Sequence, residues 1–301
     1  MSKLLVVFGA TGQQGGSVVN CVINDSELSK TYKVRGVTRD PSKGAAKALK
    51  QKGVEIVKGD LDNTESLEQA LCGAHTVFAV TTTDYDDRTK EIAQGKTVAD
   101  MAVAAGVQYF IFSTLPHVGI NSGGKYTHCY MFDYKAIVED YIRGLPMKSA
   151  FFAPGAFMSN FTKMMAPYPA GDGTYIISNT VTPQTEIPLL NVAADAGKYV
   201  CAILAEPANY EGKVLSAATR LYSFGEAVQI ISKLSGKTIT YKQLPNNAFR
   251  LADHAEMLLY FQDFGYYGEN TKEKVEWTAR NARGRLTTFE EYIAKNPPKF
   301  K

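Results

Sequence analysis

Short apolar runs alternate with amphipathic stretches along the first half of the chain. Such alternation is typical of a parallel sheet that carries helices on both faces. Runs rich in Val, Ile, Leu and Phe predict six strands, at residues 4–8, 33–38, 54–58, 76–81, 109–113 and 148–152. We therefore predict an α/β fold built on a doubly wound parallel sheet.

Two helices of that half follow from the spacing of apolar residues. In residues 88–105 the apolar positions 98, 101, 102 and 105 recur at i, i+3, i+4 and i+7, and Gly106 then stops the helix. The stretch 132–143 shows the same pattern around positions 138, 141 and 142. These two helices could pair with a second copy of the chain or only cover the sheet, so a monomer and a homodimer both remain open.

The pattern changes after Pro154. Connections rich in glycine, proline and aromatic residues, such as 168–173, replace the regular alternation. They predict a main domain over residues 1–154 and a smaller α+β domain over residues 155–301, with a segment near 185–215 returning to the main domain. Within the smaller domain, capping boxes are predicted at Ser223 with Glu226 and at Thr288 with Glu291.

The glycines after the first strand carry the most specific chemical signal. Gly9 permits a sharp turn, Gly12 lets the backbone approach a pyrophosphate, and Gly15 lets the following helix pack closely. The free N–H groups at the start of that helix then hold the phosphates. The same spacing also occurs in turns without a ligand, but a strand before it and a helix after it favour a dinucleotide-binding Rossmann domain.

Basic residues follow the second predicted strand, where the adenosine ribose would lie. An acidic residue at this point accepts from a free ribose 2′-hydroxyl, whereas an arginine suits a 2′-phosphate. Arg39 and Lys43 therefore favour NADP(H) over NAD(H), and the intervening Asp40 keeps this preference modest. The alternative is that both cations are solvated loop residues.

Composition limits the range of functions. The chain has 301 residues, of which 45% are hydrophobic and 21% charged, and its formal net charge is +3. No dense run of Lys and Arg is interleaved with aromatic residues, which argues against direct nucleic-acid binding. Because no apolar stretch has the length of a membrane helix, we expect no membrane contact and a cytoplasmic location, with the nucleus as the alternative.

The four cysteines are far apart in the sequence. Cys21, Cys72, Cys129 and Cys201 contain no Cys-x-x-Cys pair and have no histidine at zinc-finger spacing. We predict that they are small buried side chains, and we expect neither a metal site nor a disulfide framework.

A set of short motifs is distributed over nearly the whole chain. The motifs are Gly-Ala-Thr-Gly-Gln-Gln-Gly at 9–15, Gly-Asp-Leu at 59–61, Glu-Ile-Ala-Gln-Gly-Lys at 91–96, Ala-Gly-Val at 105–107, Phe-Ser-Thr-Leu at 112–115, Phe-Asp-Tyr-Lys at 132–135, Phe-Gly-Tyr-Tyr-Gly at 264–268 and Leu-Thr-Thr-Phe-Glu-Glu-Tyr at 286–292. Together they resemble the motifs of the NmrA-like family, a branch of the atypical short-chain dehydrogenases that contains fungal nitrogen-regulation proteins and redox-sensor relatives. The resemblance implies an NAD(P)-binding Rossmann domain and is specific for the family, not for one activity.

The resemblance also implies which residues contact the cofactor. Together with the glycines and the basic residues above, the expected set is Gly9, Thr11, Gly12, Gln13, Gln14 and Gly15 at the phosphates, Arg39 and Lys43 at the 2′-phosphate, Asp60 and Leu61 at the adenine, Thr81, Thr82 and Lys135 at the nicotinamide ribose, and Phe152 in the remaining wall.

The catalytic tyrosine of short-chain reductases is missing from its usual position. In those enzymes a tyrosine lies one helical turn before a lysine and transfers a proton to the substrate carbonyl. Here Met131 precedes Lys135 by four residues, while Tyr130 and Tyr134 are each rotated from that face by about 100°. A thioether transfers no proton, so the usual reductase mechanism is expected to be absent.

Two functions remain open at this point. The first is an NADP(H)-binding regulator, in which the cofactor rearranges loops after Thr81 and around Gly123 and changes affinity for a protein partner. The second is an NAD(P)H-dependent reductase of a small apolar, quinone-like or conjugated substrate, with Lys135 as the catalytic residue. Lys135 as an ordinary surface lysine is the alternative to both roles.

Overall fold

A computed structural model describes residues 2–84, 87, 89–245, 248 and 252–300, with residues 252 and 253 described for the backbone alone. The strands are β1 (Lys3–Phe8), β2 (Tyr32–Thr38), β3 (Glu55–Lys58), β4 (Thr76–Ala79), β5 (Tyr109–Ser113), β6 (Lys148–Pro154), β7 (Ala156–Phe157), β8 (Tyr168–Pro169), β9 (Tyr175–Asn179), β10 (Glu186–Leu190), β11 (Val214–Ala217), β12 (Arg220–Ser223) and β13 (Ile239–Gln243). The α-helices are α1 (Gln13–Asn24), α2 (Leu28–Thr31), α3 (Gly44–Gln51), α4 (Thr64–Leu71), α5 (Lys90–Ala104), α6 (Val118–Asn121), α7 (Tyr130–Arg143), α8 (Val192–Ala205), α9 (Pro207–Tyr210), α10 (Phe224–Ser235), α11 (Ala252–Phe264), α12 (Thr271–Arg280) and α13 (Phe289–Lys295), and a 3₁₀ helix spans Met158–Thr162.

Seven parallel strands form the main sheet, in the order β11-β6-β5-β4-β1-β2-β3. The order reverses direction at β1, as in doubly wound sheets, and places the carboxyl ends of β1, β2, β3 and β4 along one edge. The predicted α/β class with a doubly wound parallel sheet of the Rossmann type is therefore confirmed.

Both faces of the sheet are buried at its central strands β1, β4 and β5, which explains why these strands are nearly continuous apolar runs. Successive residues of β1 point to opposite faces. Leu5 and Val7 join a core that includes residues of α1 and α8, whereas Val6 and Phe8 join a second core with residues of α4, α5 and α7. All four side chains are almost completely buried.

Glycines allow the covering helices to pack closely. A Cβ added to Gly197 of α8 would lie 2.2 Å from the Ser17 carbonyl oxygen of α1, and the Gly197 N–H donates to Ser17 Oγ at 2.9 Å. On the other face, a Cβ added to Gly95 of α5 would lie 2.6 Å from the methyl groups of Val138 in α7. The two predicted helices thus pack against each other and cover the sheet.

Two smaller sheets lie in the second half of the chain. Their strand orders are β12-β10-β7 and β13-β9-β8, and both sheets mix parallel and antiparallel pairs. They share a core with α10 and α11 that contains many aromatic residues. The chain returns to the main sheet through α8 and β11. Its second half therefore contributes both to the main sheet and to the two smaller sheets.

The observed elements correct several predicted boundaries. The fourth strand ends at Ala79 instead of residue 81. The following helix begins at Lys90, after its N-cap Thr89, and ends at Ala104, one residue before the predicted end; the predicted first residue, Arg88, lies outside the described residues. Both halves of the capping box at Thr288 and Glu291 are present.

The capping box predicted at Ser223 and Glu226 forms only in part. Ser223 Oγ accepts from the Glu226 N–H at 3.0 Å, as expected. The Glu226 carboxylate instead binds both terminal nitrogens of Arg220, at 2.6 and 3.1 Å. A charge-assisted pair with two contacts is stronger than a bond to a neutral N–H, which explains the difference.

The cysteine prediction is correct for some residues only. Cys129 and Cys201 are buried and Cys21 is half-buried, but Cys72 is exposed at the end of α4. Among the described residues, no helix is long and apolar enough to cross a membrane.

Candidate dinucleotide-binding site

A cleft of about 510 Å³ lies at the carboxyl ends of β1 to β4. Seven of the predicted cofactor residues line it: Gly9, Thr11, Gly12, Arg39, Asp60, Leu61 and Thr82. The lining residues that the sequence did not indicate are Phe8, Val37, Thr38, Gly59, Asp62, Val80, Thr83, Asp84, Lys90 and Gln94. The predicted residues outside this lining are Gln13, Gln14, Gly15, Lys43, Thr81, Lys135 and Phe152.

The glycine turn has the geometry that its spacing predicts. Gly9 has a φ of +64°, a conformation that L side chains rarely adopt, and its carbonyl accepts from the Gly12 N–H at 2.8 Å. Gly12 precedes α1 and has no side chain with which to cap the helix. A Cβ on Gly15 would lie 2.4 Å from the Gly9 carbonyl oxygen. The helix therefore starts directly beside the turn, with its first N–H groups at the edge of the cleft.

The two glutamines of the turn differ in their surroundings. Gln13 is the first residue of α1 and is exposed. Gln14 Oε1 instead accepts from Ser113 Oγ at 2.7 Å, which connects α1 to the end of β5. The Gln14 side chain is thereby directed toward β5.

Directly after β2, Arg39 and Asp40 are directed differently. Arg39 lines the cleft. Asp40 Oδ1 accepts from the N–H and the hydroxyl of Ser42, at 2.9 and 2.6 Å. The pKa of Asp40 lies below its usual value, chiefly because the Ser42 hydroxyl donates to the carboxylate. Lys43 is exposed at the start of α3, outside the cleft lining.

Charged residues close the far rim of the cleft. Lys90 Nζ lies 3.3 Å from Asp62 and 3.5 Å from Asp84, and Gln94 Nε2 donates to Asp62 at 2.7 Å. Lys90 and Gln94 are four residues apart and therefore share one face of α5. That spacing, next to the motif containing Asp60, is the signal that could have identified this rim from the sequence.

Lys135 lies in a buried polar cluster. Its Nζ contacts Glu91 Oε1 and lies 3.3 Å from Thr81 Oγ1, and the Thr81 hydroxyl donates to the same Glu91 oxygen at 2.8 Å. The Glu91 side chain is only 1% exposed and that of Lys135 12%. Glu91 Oε2 is buried and has no hydrogen-bond partner among the described residues. Lys135 is thus part of an internal ion pair.

Glu91 is the residue of this region that the sequence analysis missed. It is the second residue of α5 and lies four residues before Gly95 and seven before Val98, both of them buried. A carboxylate on the apolar face of a helix must find a partner, because an unpaired buried charge is costly. The helical spacing therefore contained a signal for a buried acid at position 91.

The positions around Lys135 hold no simple replacement for the missing tyrosine. Met131 is half-buried and packs against the core of the smaller sheets. The rings of Tyr130 and Tyr134 stack on each other with centroids 5.7 Å apart. Phe152 lies outside the cleft lining, and its side chain is fully buried beside Tyr199 with ring centroids 6.2 Å apart, so its contact with the cofactor stays a prediction.

The parallel sheet and the glycine turn at its carboxyl edge define a protein with the atypical short-chain dehydrogenase fold. A family model described as "NmrA-like family" matches residues 1–293. The chain belongs to the NmrA-like family, as its motifs indicated.

Two curated relatives are similar over most of their length. An NmrA-like family domain-containing protein of Dictyostelium discoideum is 30% identical over 98% of this chain and 98% of its own. The NmrA-like family domain-containing oxidoreductase FrzB of Cladobotryum sp is 30% identical over 80% of this chain and 76% of its own.

Solved structures share the fold. Crystal structures of Nmra, described as a negative transcriptional regulator, in complex with NAD and with NADP each have a TM-score of 0.80. They are 24% and 23% identical to this chain and cover 98% of it and 95% of their own chains. These neighbours therefore bind both dinucleotides.

Proposed function

We propose that the protein is an NADP(H)-binding regulator that responds to its cofactor and lacks the usual reductase site. The observation that carries this proposal is the pairing of Lys135 with buried Glu91, one helical turn from Met131. The thioether of Met131 transfers no proton, and Lys135 is held by Glu91, so the tyrosine–lysine pair of the usual reductase is absent. The cleft would then bind a dinucleotide without using it for that chemistry.

The preference for NADP(H) rests on the adenosine end of the cleft. Arg39 lines the cleft, and its planar guanidinium suits a 2′-phosphate. An acidic residue here would accept a hydrogen bond from the free 2′-hydroxyl of NAD(H), but the Asp40 carboxylate accepts hydrogen bonds from Ser42 instead. Nmra, a structural neighbour, is described as a negative transcriptional regulator in complex with NAD and with NADP, which supports a regulator that binds a dinucleotide.

Calorimetric titration with NADP⁺, NADPH, NAD⁺ and NADH in one buffer tests the cofactor preference. We expect the Arg39→Ala variant to lose about tenfold in NADP⁺ affinity, which corresponds to about 1.4 kcal/mol. Its NAD⁺ affinity should be unchanged, because no 2′-phosphate is present.

Lys43→Ala is the matched control, since it removes a nearby cation that lies outside the cleft lining. Its NADP⁺ affinity should stay within about twofold of the wild type. Equal affinity of the wild type for both dinucleotides would refute the NADP(H) preference, and absence of binding would refute the cofactor site.

A regulator must also change conformation or surface when the cofactor binds. One expected region is residues 117–130, where Asn121 donates to Tyr260 at 3.1 Å and Lys125 contacts Asp263 at 2.5 Å. The other is residues 82–90, of which 85, 86 and 88 lie outside the described residues.

Limited proteolysis with NADP⁺ and with NADPH measures this response. We expect cleavage rates in these two segments to differ between the two redox states, because a switch requires different affinities for two conformations. Identical cleavage patterns with both cofactors, at saturating concentration, would contradict redox sensing.

A second function has an observation of its own. An apolar cavity of about 280 Å³ lies between the strands and helices of the smaller sheets, and Met164, Met165, Met257 and Phe261 are among its lining residues. Such a cavity suits a small apolar substrate. The relative FrzB is named an oxidoreductase, which favours an NAD(P)H-dependent reductase as the alternative.

NADPH oxidation with a panel of quinones and enones separates the two functions. The regulator predicts no turnover above the uncatalysed rate with any of them. Turnover that is lost in Lys135→Met, with NADPH affinity retained, would instead support the reductase with Lys135 as its catalytic residue.

A further inference from the structure

The closest approach between two helices on one face of the sheet brings two cysteines together. Ser17 of α1 and Gly197 of α8 are in direct contact, as described above. Cys21 and Cys201 each follow four residues later and therefore lie one turn further along the same helix faces. A Cβ added to Gly197 would also lie 2.7 Å from Cys21 Cβ, so the helices are still close at this level.

The two thiols differ in acidity. The pKa of Cys21 is below its usual value, chiefly because the Cys201 thiol donates a hydrogen bond to it. Lys198 and Arg283 add positive charge nearby, while burial and Asp25 act in the opposite direction.

Cys201 has the opposite tendency. Burial raises the pKa of this thiol well above its usual value, and the neighbouring Cys21 raises it further. Cys21 is half-buried, so a small oxidant can reach it, whereas Cys201 is completely buried. The pair therefore consists of one half-buried cysteine and one completely buried cysteine whose thiol favours the protonated form.

We propose that Cys21 and Cys201 form a peroxide-sensitive thiol pair, in which Cys21 is oxidised first and Cys201 then closes a reversible disulfide between α1 and α8. The proposal rests on geometry: each cysteine lies one helical turn after the residue through which α1 and α8 contact each other. It does not depend on dinucleotide binding.

The chemistry requires a hydroperoxide as the oxidant. The Cys21 thiolate attacks one peroxide oxygen, the O–O bond breaks, and a sulfenic acid and hydroxide form. The Cys201 sulfur then attacks the Cys21 sulfur, the S–O bond breaks, and the Cys201 proton leaves with the departing hydroxide as water. Overall, two thiols are oxidised by two electrons and one peroxide is reduced. A dithiol reductant restores both thiols.

The test treats the reduced full-length protein with hydrogen peroxide and then unfolds it in guanidinium chloride with N-ethylmaleimide, so that buried free thiols are also labelled. We expect two of the four cysteines to escape labelling together. Non-reducing peptide mapping should show residues 21 and 201 in one linked peptide, about 2 Da lighter than the sum of the separate thiol peptides, and dithiothreitol should reverse the change.

Three variants sharpen the result. Cys21→Ala should retain all of its remaining thiols after peroxide, whereas Cys201→Ala should accumulate a sulfenic acid at position 21 that dimedone traps. Cys72→Ser, which removes an exposed thiol far from the pair in sequence, should form the disulfide as the wild type does.

Labelling of all four cysteines after peroxide would overturn the proposal, as would a link that uses Cys72 or Cys129. The wild-type peptide map decides the question even if a core variant fails to fold.

Discussion

The cleft and the Lys135 cluster present their polar groups in opposite ways. Arg39 and the backbone beside Gly12 line the open cleft. Lys135 lies outside the cleft lining and is paired with buried Glu91, one helical turn from Met131. The cleft therefore leaves its polar groups exposed, whereas the cluster pairs its charges inside the fold.

The energetic roles of the cleft and of the Lys135 cluster also differ. In an ion pair that is nearly excluded from water, removing one partner leaves an uncompensated charge and destabilises the fold. Arg39 lines the open cleft, where water solvates its charge. We therefore expect substitutions in the Lys135 cluster to affect stability and those in the cleft to affect binding.

The largest effect on stability is expected in the buried cluster of Lys135, Glu91 and Thr81. Glu91→Gln should lower the free energy of unfolding by about 3 kcal/mol, because it leaves the Lys135 charge without its counterion. Urea unfolding measures this change. The double variant with Lys135→Met should recover part of the loss, because no unpaired charge then remains. A loss below about 0.5 kcal/mol in the single variant would mean that the pair does not stabilise the fold.

The glycine turn gives an intermediate effect. Gly15→Ala should cost about 2 kcal/mol, because the new methyl group would meet the backbone of Gly9 and Phe8. Gly44→Ala in α3 is the matched control, since no described atom lies within 4 Å of its added Cβ. Thermal unfolding of both variants compares them. Equal midpoints would show that α1 can move away from the turn at no cost.

The smallest effect is expected at Thr81. Thr81→Val removes the hydroxyl that donates to Glu91 and should cost about 1 kcal/mol. Thr81→Ser keeps the hydroxyl and should remain closer to the wild type in the same urea experiment. If serine and valine variants lose the same stability, packing of the threonine methyl group, and not the hydrogen bond, accounts for the loss.

Much of the main sheet could be predicted because its signals are local. A strand buried on both faces is a continuous apolar run, and the glycine turn follows from three positions in one short segment. The ends of the strands were predicted less accurately. Residues 80 and 81 continue the β-branched pattern of β4, but the strand ends at Ala79 and the Thr81 side chain contacts Glu91 and Lys135.

Two features that the sequence analysis missed depend on partners that are distant in the sequence. Glu91 and Lys135 are 44 residues apart, so their pairing requires the packing of α5 on α7. The contact of Phe152 with Tyr199 likewise requires the return of the chain through α8. By contrast, the bond that directs Asp40 toward Ser42 spans only two residues, and the sequence analysis did not consider it.

The return of the chain through α8 and β11 has a consequence for how such proteins can be recombined. β6 pairs with β5 on one side and with β11 on the other, and α8 packs on α1. A chain that ended at Pro154 would leave β6 as an edge strand and expose the apolar face of α1. The two halves therefore cannot be exchanged independently. A chimera that takes the first half from one homologue must also take residues 192–217 from that homologue.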